Sequence, residues 1–285
     1  MKFARVGPVG AESPAVMVND EVFVDISDIV PDINADAIVN LGSPELQRAI
    51  RRRIDQGPQQ SIAGKRIGSP ISRPHQILCV GLNYSDHAIE SNMSIPAEPI
   101  IFNKAPNTIA GPNDPVFIPR NSRKTDWEVE LGVVIGQRVS YLASPDDAAD
   151  AIAGYLIVND VSEREFQLER GGQWVKGKSC DSFNPCGPWL ATPDEILDAQ
   201  DLDMWLDVNG ERMQEGSTRT MIFPVNFLVW YLSQFMVLEP GDLINTGTPP
   251  GVGLGKKPPR YLAPGDVMEV GIQGLGLQRQ VVEKA

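Results

Sequence analysis

The stretch TDWEVELGVVIG, residues 125–136, constrains the fold more than any other part of the chain. Its apolar side chains recur at every second position, which is the period of a β-strand with one buried face. Those side chains belong to Trp127, Val129, Leu131 and Val133. Glu128 and Glu130 alternate with them and therefore point together to the opposite side of the predicted strand.

Two neighbouring carboxylates on an otherwise apolar strand need a physical explanation. Like charges repel and are costly to remove from water, so a cation is expected between Glu128 and Glu130. A divalent metal ion is the simplest such cation. The alternative is an edge strand whose acidic face lies in water, and this stretch alone does not decide between the two.

The composition favours a large fold made mainly of short strands. A chain of 285 residues can build one large domain, or one domain with a small appendage. Its 26 glycines and 24 prolines fall between short apolar runs, a pattern typical of strands joined by turns. Prolines at positions 70 and 74 mark a boundary. We predict a small N-terminal α+β domain over residues 1–72, with a helix capped by Ser43, and a larger domain over residues 73–285.

Charge, cysteine content and hydropathy exclude several classes of protein. The net charge of −12 argues against binding to nucleic acid or to an anionic membrane surface. Three cysteines without a CxxC spacing indicate a reducing compartment, with neither a disulfide framework nor a zinc site. The N-terminus has no apolar signal region and no stretch is long enough to span a bilayer, so we expect a cytoplasmic protein. The GxSxG and HExxH motifs of two large hydrolase classes are absent.

A candidate general base lies in the segment NYSDHAIE, residues 83–90. If Ser85 caps a short helix, His87 and Glu90 occupy positions i and i+3 on one face. A carboxylate that holds an imidazole forms a general base able to activate water. A surface ion pair has the same spacing and is, taken alone, the commoner case.

A third carboxylate follows a predicted strand at residues 155–158, after a helix that begins at Ser144 and ends at Gly154. Asp160 lies between that strand and Ser162, which has the form of a helix-capping residue. This position suits a metal ligand or, equally, a simple cap. Lys178 follows in a tight segment between small residues, where it either reaches an anionic ligand or is a solvated loop lysine.

Glu128, Glu130 and Asp160 together make an all-oxygen set of three carboxylates. Such sets hold Mg²⁺ or Mn²⁺, with water or substrate completing the octahedron. Because no cysteine or histidine belongs to the set, zinc is disfavoured.

Five motifs in a fixed order carry a resemblance to a known family: GLNYSDHAIE, DWEVELGVVIG, NDVSEREFQ, GKS and NTGTPPGVG. Over roughly residues 75–280 the chain resembles the fumarylacetoacetate hydrolase superfamily. The resemblance implies an α+β, mostly β fold, a mixed β-roll, that assembles as a homodimer or homotetramer. It also implies Glu128, Glu130 and Asp160 as ligands of Mg²⁺ or possible Mn²⁺, and His87, Glu90 and Lys178 as catalytic residues. The positions that match the family's substrate-binding residues are Tyr84, Arg164, Gln167, Lys178, Gly247 and Thr248.

The resemblance further implies a reaction. The founding hydrolase has an additional aspartate ligand upstream of its histidine. In this chain Asn83 lies near that place and no aspartate matches, which points toward the branch that acts on smaller acylpyruvates. The implied activity is hydrolysis of the C3–C4 bond of a 2,4-dioxo acid, such as 2,4-diketo-3-deoxy-L-rhamnonate or -fuconate, to pyruvate and lactate. Alternatives within the family are oxaloacetate decarboxylase, an isomerase or hydratase of catechol meta-cleavage, and ureidoglycolate lyase. A non-catalytic protein with a structural ion is the alternative from another class.

Overall fold

The computed structural model describes residues 1–86 and 95–285, and strands predominate in this part of the chain. The strands of these two ranges are β1 (Lys2–Val6), β2 (Ser13–Asn19), β3 (Val22–Asp25), β4 (Gln59–Ser61), β5 (Ile77–Gly81), β6 (Ile100–Lys104), β7 (Ile109–Ala110), β8 (Val116–Ile118), β9 (Thr125–Asp126), β10 (Val129–Ile135), β11 (Ile152–Asn159), β12 (Ser162–Glu163), β13 (Asn184–Pro185), β14 (Leu190–Ala191), β15 (Asp203–Val208), β16 (Glu211–Ser217), β17 (Leu243–Asn245), β18 (Val267–Ile272) and β19 (Gly276–Lys284).

The helices of the described residues are short apart from one. They are α1 (Ala35–Ile38), α2 (Pro44–Gln56), α3 (Val175–Lys178) and α4 (Val225–Ser233), with a π-helical turn at Glu165–Glu169 and 3₁₀ turns at Pro106–Thr108, Pro145–Ala151, Pro193–Glu195, Thr218–Thr220 and Gly253–Gly255. Within residues 1–86 and 95–285, none of them has the length and apolar character needed to cross a membrane.

Two mixed sheets form the framework. The larger has ten strands in the order β4-β3-β2-β1-β14-β11-β10-β17-β5-β6, and only β17 and β5 run parallel. The smaller has five strands in the order β16-β15-β18-β19-β8, with β19 and β8 parallel. The prediction of a mostly β fold is confirmed, whereas closure of the sheets into a roll stays a prediction.

Strand β10 lies inside the larger sheet, and its two faces pack against different neighbours. Leu131 and Val133 are fully buried in a core that includes Leu206 and Val270 of the smaller sheet. Val134, on the opposite face, belongs to a second core that the residues of α1 and α2 help to form. Burying each such side chain contributes about 1.5–3 kcal/mol relative to exposure. The alternation read from the sequence is confirmed, and the edge-strand alternative is wrong because β10 pairs with β11 and β17 on both sides.

The first 72 residues supply four strands to the larger sheet. Lys2 and Phe3 of β1 pair with Ala191 and Leu190 of β14, which continues the sheet into the rest of the chain. The predicted cap of α2 is confirmed, since the Ser43 hydroxyl accepts a hydrogen bond of 3.2 Å from the backbone N–H of Leu46. The division into two domains at residue 72 stays a prediction.

Two local predictions are wrong for identifiable reasons. Gly154 does not end a helix: it lies inside β11, where a Cβ would fall 2.3 Å from the carbonyl oxygen of Ala191 on β14. Close approach of the neighbouring strand therefore explains the glycine. Ser162 does not cap a helix, because it pairs with Asp126 in a two-stranded ribbon and its hydroxyl donates to the carbonyl oxygen of Asp160 at 2.9 Å.

Candidate active site

Strands β10 and β11 bring three carboxylates together. Glu130 lies on β10, Glu128 just before it, and Asp160 just after β11, which pairs antiparallel with β10. The backbone N–H of Asp160 donates to the carbonyl oxygen of Glu128 at 2.8 Å, and this bond holds the start of β10 beside the end of β11. One carboxylate oxygen from each residue lies within 4.8 Å of the other two, and all three residues are buried. The juxtaposition expected from the sequence is therefore present.

Cationic side chains surround two of these carboxylates. The Lys178 ammonium lies 2.7 Å from Glu128 Oε2 and 2.8 Å from Asp160 Oδ2, so it bridges them. Arg164 Nη2 lies 2.7 Å from the other oxygen of Glu128. Lys104, fully buried at the end of β6, forms an ion pair with Asp160 Oδ1.

The pKa values of the cluster follow from this arrangement. Burial alone would raise the pKa of Glu128, but the charges of Lys178 and Arg164 bring it down to about 2. Burial alone would lower the pKa of Lys178, yet the charges of Asp160 and Glu128 raise it above its usual value. At neutral pH both groups are therefore charged, and Lys178 is a hydrogen-bond donor rather than a base.

Glu130 has a different environment. Within the described ranges no cationic side chain pairs with it, and its Oε2 accepts a hydrogen bond of 2.8 Å from the backbone N–H of Gly247. Burial, followed by the charges of Asp160 and Glu128, raises the pKa of Glu130 well above its usual value. A buried carboxylate beside two others is stabilised in its charged form by an added cation. The oxygen-only donors and their spacing fit a hard divalent ion such as Mg²⁺ or Mn²⁺.

Two carboxylates of the cluster, Glu128 and Glu130, lie at the floor of a cavity of about 650 Å³. That volume is within the range of small-molecule sites. Glu128, Glu130 and Lys178 lie at the buried end, and the rings of Phe102 and Trp174, 5.1 Å apart, form part of one wall. The cavity therefore joins a charged floor to largely apolar walls.

The predicted substrate-binding residues fall into two groups. Arg164, Gln167 and Thr248 line the cavity, and Arg164 Nη1 donates to Gln167 Oε1 at 3.1 Å. Gly247 lies behind Glu130, to which its N–H is bonded. Tyr84 lies apart from the cavity lining: its ring is fully buried and its hydroxyl donates to Met204 Sδ at 3.2 Å. The predicted contact between Tyr84 and the substrate stays a prediction, and the buried position of the ring does not support it.

The predicted general base, His87 with Glu90, lies outside the described residues. The chain approaches it through Asn83, whose side chain accepts from the N–H of Phe223 at 2.8 Å and donates to the carbonyl oxygen of Thr246 at 2.8 Å. Thr246 lies two residues before Thr248, which lines the cavity, so Asn83 is held beside the cavity.

Sequence reasoning missed three buried polar residues beside the carboxylates. Lys104 is the last residue of β6, where it follows the exposed Asn103 and three half-buried residues, so no local pattern marks it as buried. Asp126, two residues before Glu128, accepts a hydrogen bond of 2.9 Å from Arg164 Nε. Gln214 of β16 accepts from the N–H of Val129 at 2.9 Å, and no local sequence pattern distinguishes it.

Comparison with known proteins assigns the chain to one family. Residues 76–283 match the model of the fumarylacetoacetate (FAA) hydrolase C-terminal family. The chain belongs to this family.

Its relatives include proteins that are similar over the full length. The chain is 51% identical over 286 residues to a 2,4-didehydro-3-deoxy-L-rhamnonate hydrolase from Sphingomonas sp. (strain SKA58), with 100% of this chain and 96% of the relative covered. A fumarylacetoacetate hydrolase from the psychrophile Exiguobacterium antarcticum has a TM-score of 0.88 at 35% identity, with both chains fully covered. A maleylpyruvate hydrolase from Sphingobium sp. SYK-6, solved with manganese(II) and pyruvate, has a TM-score of 0.83 at 28% identity, again over 100% of both chains. The chain is therefore an enzyme of this hydrolase family, and these relatives support a carbon–carbon hydrolase.

Proposed function

We propose that the protein is a metal-dependent acylpyruvate hydrolase that cleaves the C3–C4 bond of a 2,4-dioxo acid. One observation carries the proposal: Glu128, Glu130 and Asp160 offer oxygens within 4.8 Å of one another, Lys178 bridges two of them, and Glu128 and Glu130 line the cavity. Mg²⁺ is the proposed ion, with Mn²⁺ as a substitute. An ion held by these three residues would act as a Lewis acid on the oxygens of the bound dioxo acid.

The side chains of the floor suit a charged substrate head. Arg164 and Lys178 remain cationic, because the neighbouring carboxylates raise the pKa of both above their usual values despite burial. They offset the protein's net charge of −12 locally and favour binding of the substrate carboxylate. Thr248 and Gln167, at the cavity wall, can contribute neutral hydrogen bonds.

The proposed steps balance in atoms and electrons. His87, held by Glu90, takes a proton from water, and the oxygen attacks the C4 carbonyl carbon. The C3–C4 bond then breaks, its electron pair remains on C3 as the enolate of pyruvate, and C4 leaves as a carboxylic acid. Lys178 donates hydrogen bonds to the developing enolate oxygen, and the proton held by His87 returns to C3.

For the substrate we infer 2,4-diketo-3-deoxy-L-rhamnonate, which the name of the 51% identical relative supports. The corresponding fuconate is the second candidate, and C3–C4 cleavage of either acid would give pyruvate and lactate. We also infer a homodimer or homotetramer, as the family resemblance implies, and a cytoplasmic location, which the free cysteines favour. Oxaloacetate decarboxylation would use the same charged floor but needs no activated water, so His87 and Glu90 favour hydrolysis.

A lactate dehydrogenase-coupled assay of pyruvate release tests the proposal. Acetylpyruvate, the diketo-deoxy sugar acids and oxaloacetate should be compared, with EDTA-treated protein before and after addition of Mg²⁺. We expect release from the dioxo acids to cease with EDTA and to return with Mg²⁺. If EDTA lowers the melting temperature and none of these acids is turned over at any metal concentration, the ion is structural and the proposal fails.

A further inference from the structure

Asp126 is a fully buried carboxylate that does not line the cavity and accepts four hydrogen bonds. Its Oδ1 accepts from the backbone N–H groups of Trp127 and Gly253, at 2.8 and 2.7 Å. Its Oδ2 accepts from Arg164 Nε and from the N–H of Leu254, both at 2.9 Å. One side chain therefore holds both Arg164, on the cavity floor, and the 3₁₀ turn Gly253–Gly255.

That turn packs too closely for another residue at its first position. A Cβ on Gly253 would lie 2.0 Å from the carbonyl oxygen of Arg260 and 2.7 Å from Asp126 Oδ1. The chain after the turn is held as well, since Lys256 Nζ donates to the carbonyl oxygen of Met213 at 3.2 Å. The turn is thus a fixed element, and Asp126 is the carboxylate that fixes it.

The turn supplies the outer wall of the cavity. Leu254, Gly255 and Lys256 line it together with the floor residues. Leu254 is 39% exposed and Leu168, which also lines the cavity, is 46% exposed, whereas Lys178 at the floor is 1% exposed, so the two leucines mark the solvent-facing end. A substrate whose charged head binds at the floor must therefore direct its acyl tail toward Leu254 and Leu168.

We propose that Asp126 is a positioning residue that sets acyl-chain specificity by holding the Gly253–Gly255 turn against the substrate tail. This inference rests on the proposed function for the identity of the head group. Asparagine at position 126 retains one acceptor atom and places an NH₂ group against two of the four donors. In either orientation of the amide one bond to the turn is lost, that of Leu254 together with the Arg164 bond or that of Gly253 together with the Trp127 bond, and the outer wall shifts.

The test measures binding and turnover separately for short and long ligands. Calorimetry of the Mn²⁺-loaded protein gives the dissociation constants of pyruvate and of 2-oxooctanoate, and coupled assays compare acetylpyruvate with hexanoylpyruvate. In D126N we expect the affinity for 2-oxooctanoate to fall at least about tenfold more than that for pyruvate, as expected for lost apolar contacts in a pocket. For hexanoylpyruvate the loss should fall on KM more than on kcat, because tail contacts are present in both ground and transition states.

Two further variants make the result specific. L254A trims the wall itself and should reduce the same preference for long ligands even if D126N does not fold. D242N is the matched control, because Asp242 is also fully buried and holds a turn, accepting from the N–H of Glu239 at 2.8 Å and from Gln76 Nε2 at 2.7 Å. Asp242 lies at the end of β10 distant from Glu130, where its carbonyl oxygen accepts from the N–H of Ile135. The D242N variant should therefore alter stability without altering the ratio of the affinities for 2-oxooctanoate and pyruvate.

Failures of the two proposals differ. Equal losses for short and long ligands in D126N, or an unchanged ratio in L254A, would overturn the role of the turn. Length-dependent binding without turnover of any acylpyruvate would leave that role intact and overturn the proposed reaction.

Discussion

Replacing Glu130 with glutamine should make the metal-free protein at least as stable as wild type. Burial and the charges of Asp160 and Glu128 raise the pKa of Glu130, so the metal-free fold must either protonate Glu130 or bear its charge, and glutamine avoids both costs. When Glu130 is ionised, each like-charge pair within 4.8 Å costs at most about 3.5 kcal/mol at an effective dielectric constant of ~20. Lost attraction to Lys178 offsets one of the two pairs. The glutamine oxygen can still accept the N–H of Gly247. We therefore expect E130Q to raise the free energy of unfolding without metal by roughly 1–3 kcal/mol.

In the presence of Mg²⁺ the order of stability should reverse, and wild type should have the larger free energy of unfolding. At a Mg²⁺ concentration 100-fold above the dissociation constant, binding stabilises a folded protein by about 2.7 kcal/mol, which is on the order of 5–10 °C in melting temperature. If loss of one carboxylate ligand weakens binding about 100-fold, the same Mg²⁺ concentration stabilises E130Q by only about 0.4 kcal/mol.

Urea unfolding of EDTA-treated wild type and E130Q, with and without Mg²⁺, measures both effects. E163Q is the matched control, because Glu163 is equally buried but accepts from the N–H groups of Lys124 and Glu165, at 3.1 and 3.2 Å. In E163Q an NH₂ group faces one of those donors, which should lower the free energy of unfolding by about 1–3 kcal/mol. The stabilisation of E163Q by Mg²⁺ should equal that of wild type. An E130Q protein that gains as much stability from Mg²⁺ as wild type would refute the reasoning.

Three other predictions concern the charged groups and the thiols. K178M should reduce pyruvate release by about 10²–10³-fold, because a donor to the developing enolate is lost, while electron paramagnetic resonance still detects bound Mn²⁺. H87A should abolish hydrolysis with an unchanged Mn²⁺ dissociation constant, and wild-type turnover of every dioxo acid by this variant would disprove the assignment. Burial raises the pKa of Cys180 to about 11 and that of Cys186 to about 12, so the native thiols are mostly protonated at pH 8. Iodoacetamide labelling of Cys180, followed by mass spectrometry, should be slow at pH 8 and accelerate about tenfold per pH unit up to pH 10, and a fast, pH-independent reaction would contradict this.

The parts of the fold that follow a local period could be predicted from the sequence. The two-residue alternation of β10 fixed which side chains enter the core, and the Ser43-Pro44 pair fixed the start of α2. The failures involve contacts distant in sequence. Gly154 is required by Ala191 on a neighbouring strand, and nothing near position 154 reports that contact.

The candidate site shows the same division. Glu128, Glu130 and Asp160 were recognisable because short apolar strands deliver them. Lys104, which pairs with Asp160, and Asp126, which pairs with Arg164, were not recognisable, because a buried lysine or aspartate is identified only by the charge that it meets. Lys104 is 56 residues from Asp160.

The most direct test of the account is product analysis of one dioxo acid in the presence and absence of metal. EDTA-treated protein is incubated with 2,4-diketo-3-deoxy-L-rhamnonate, and proton magnetic resonance follows the reaction before and after addition of Mg²⁺. The account predicts no reaction before Mg²⁺ and one pyruvate with one lactate per substrate afterwards. Release of CO₂, formation of an isomer without C3–C4 cleavage, or equal rates without metal would contradict it.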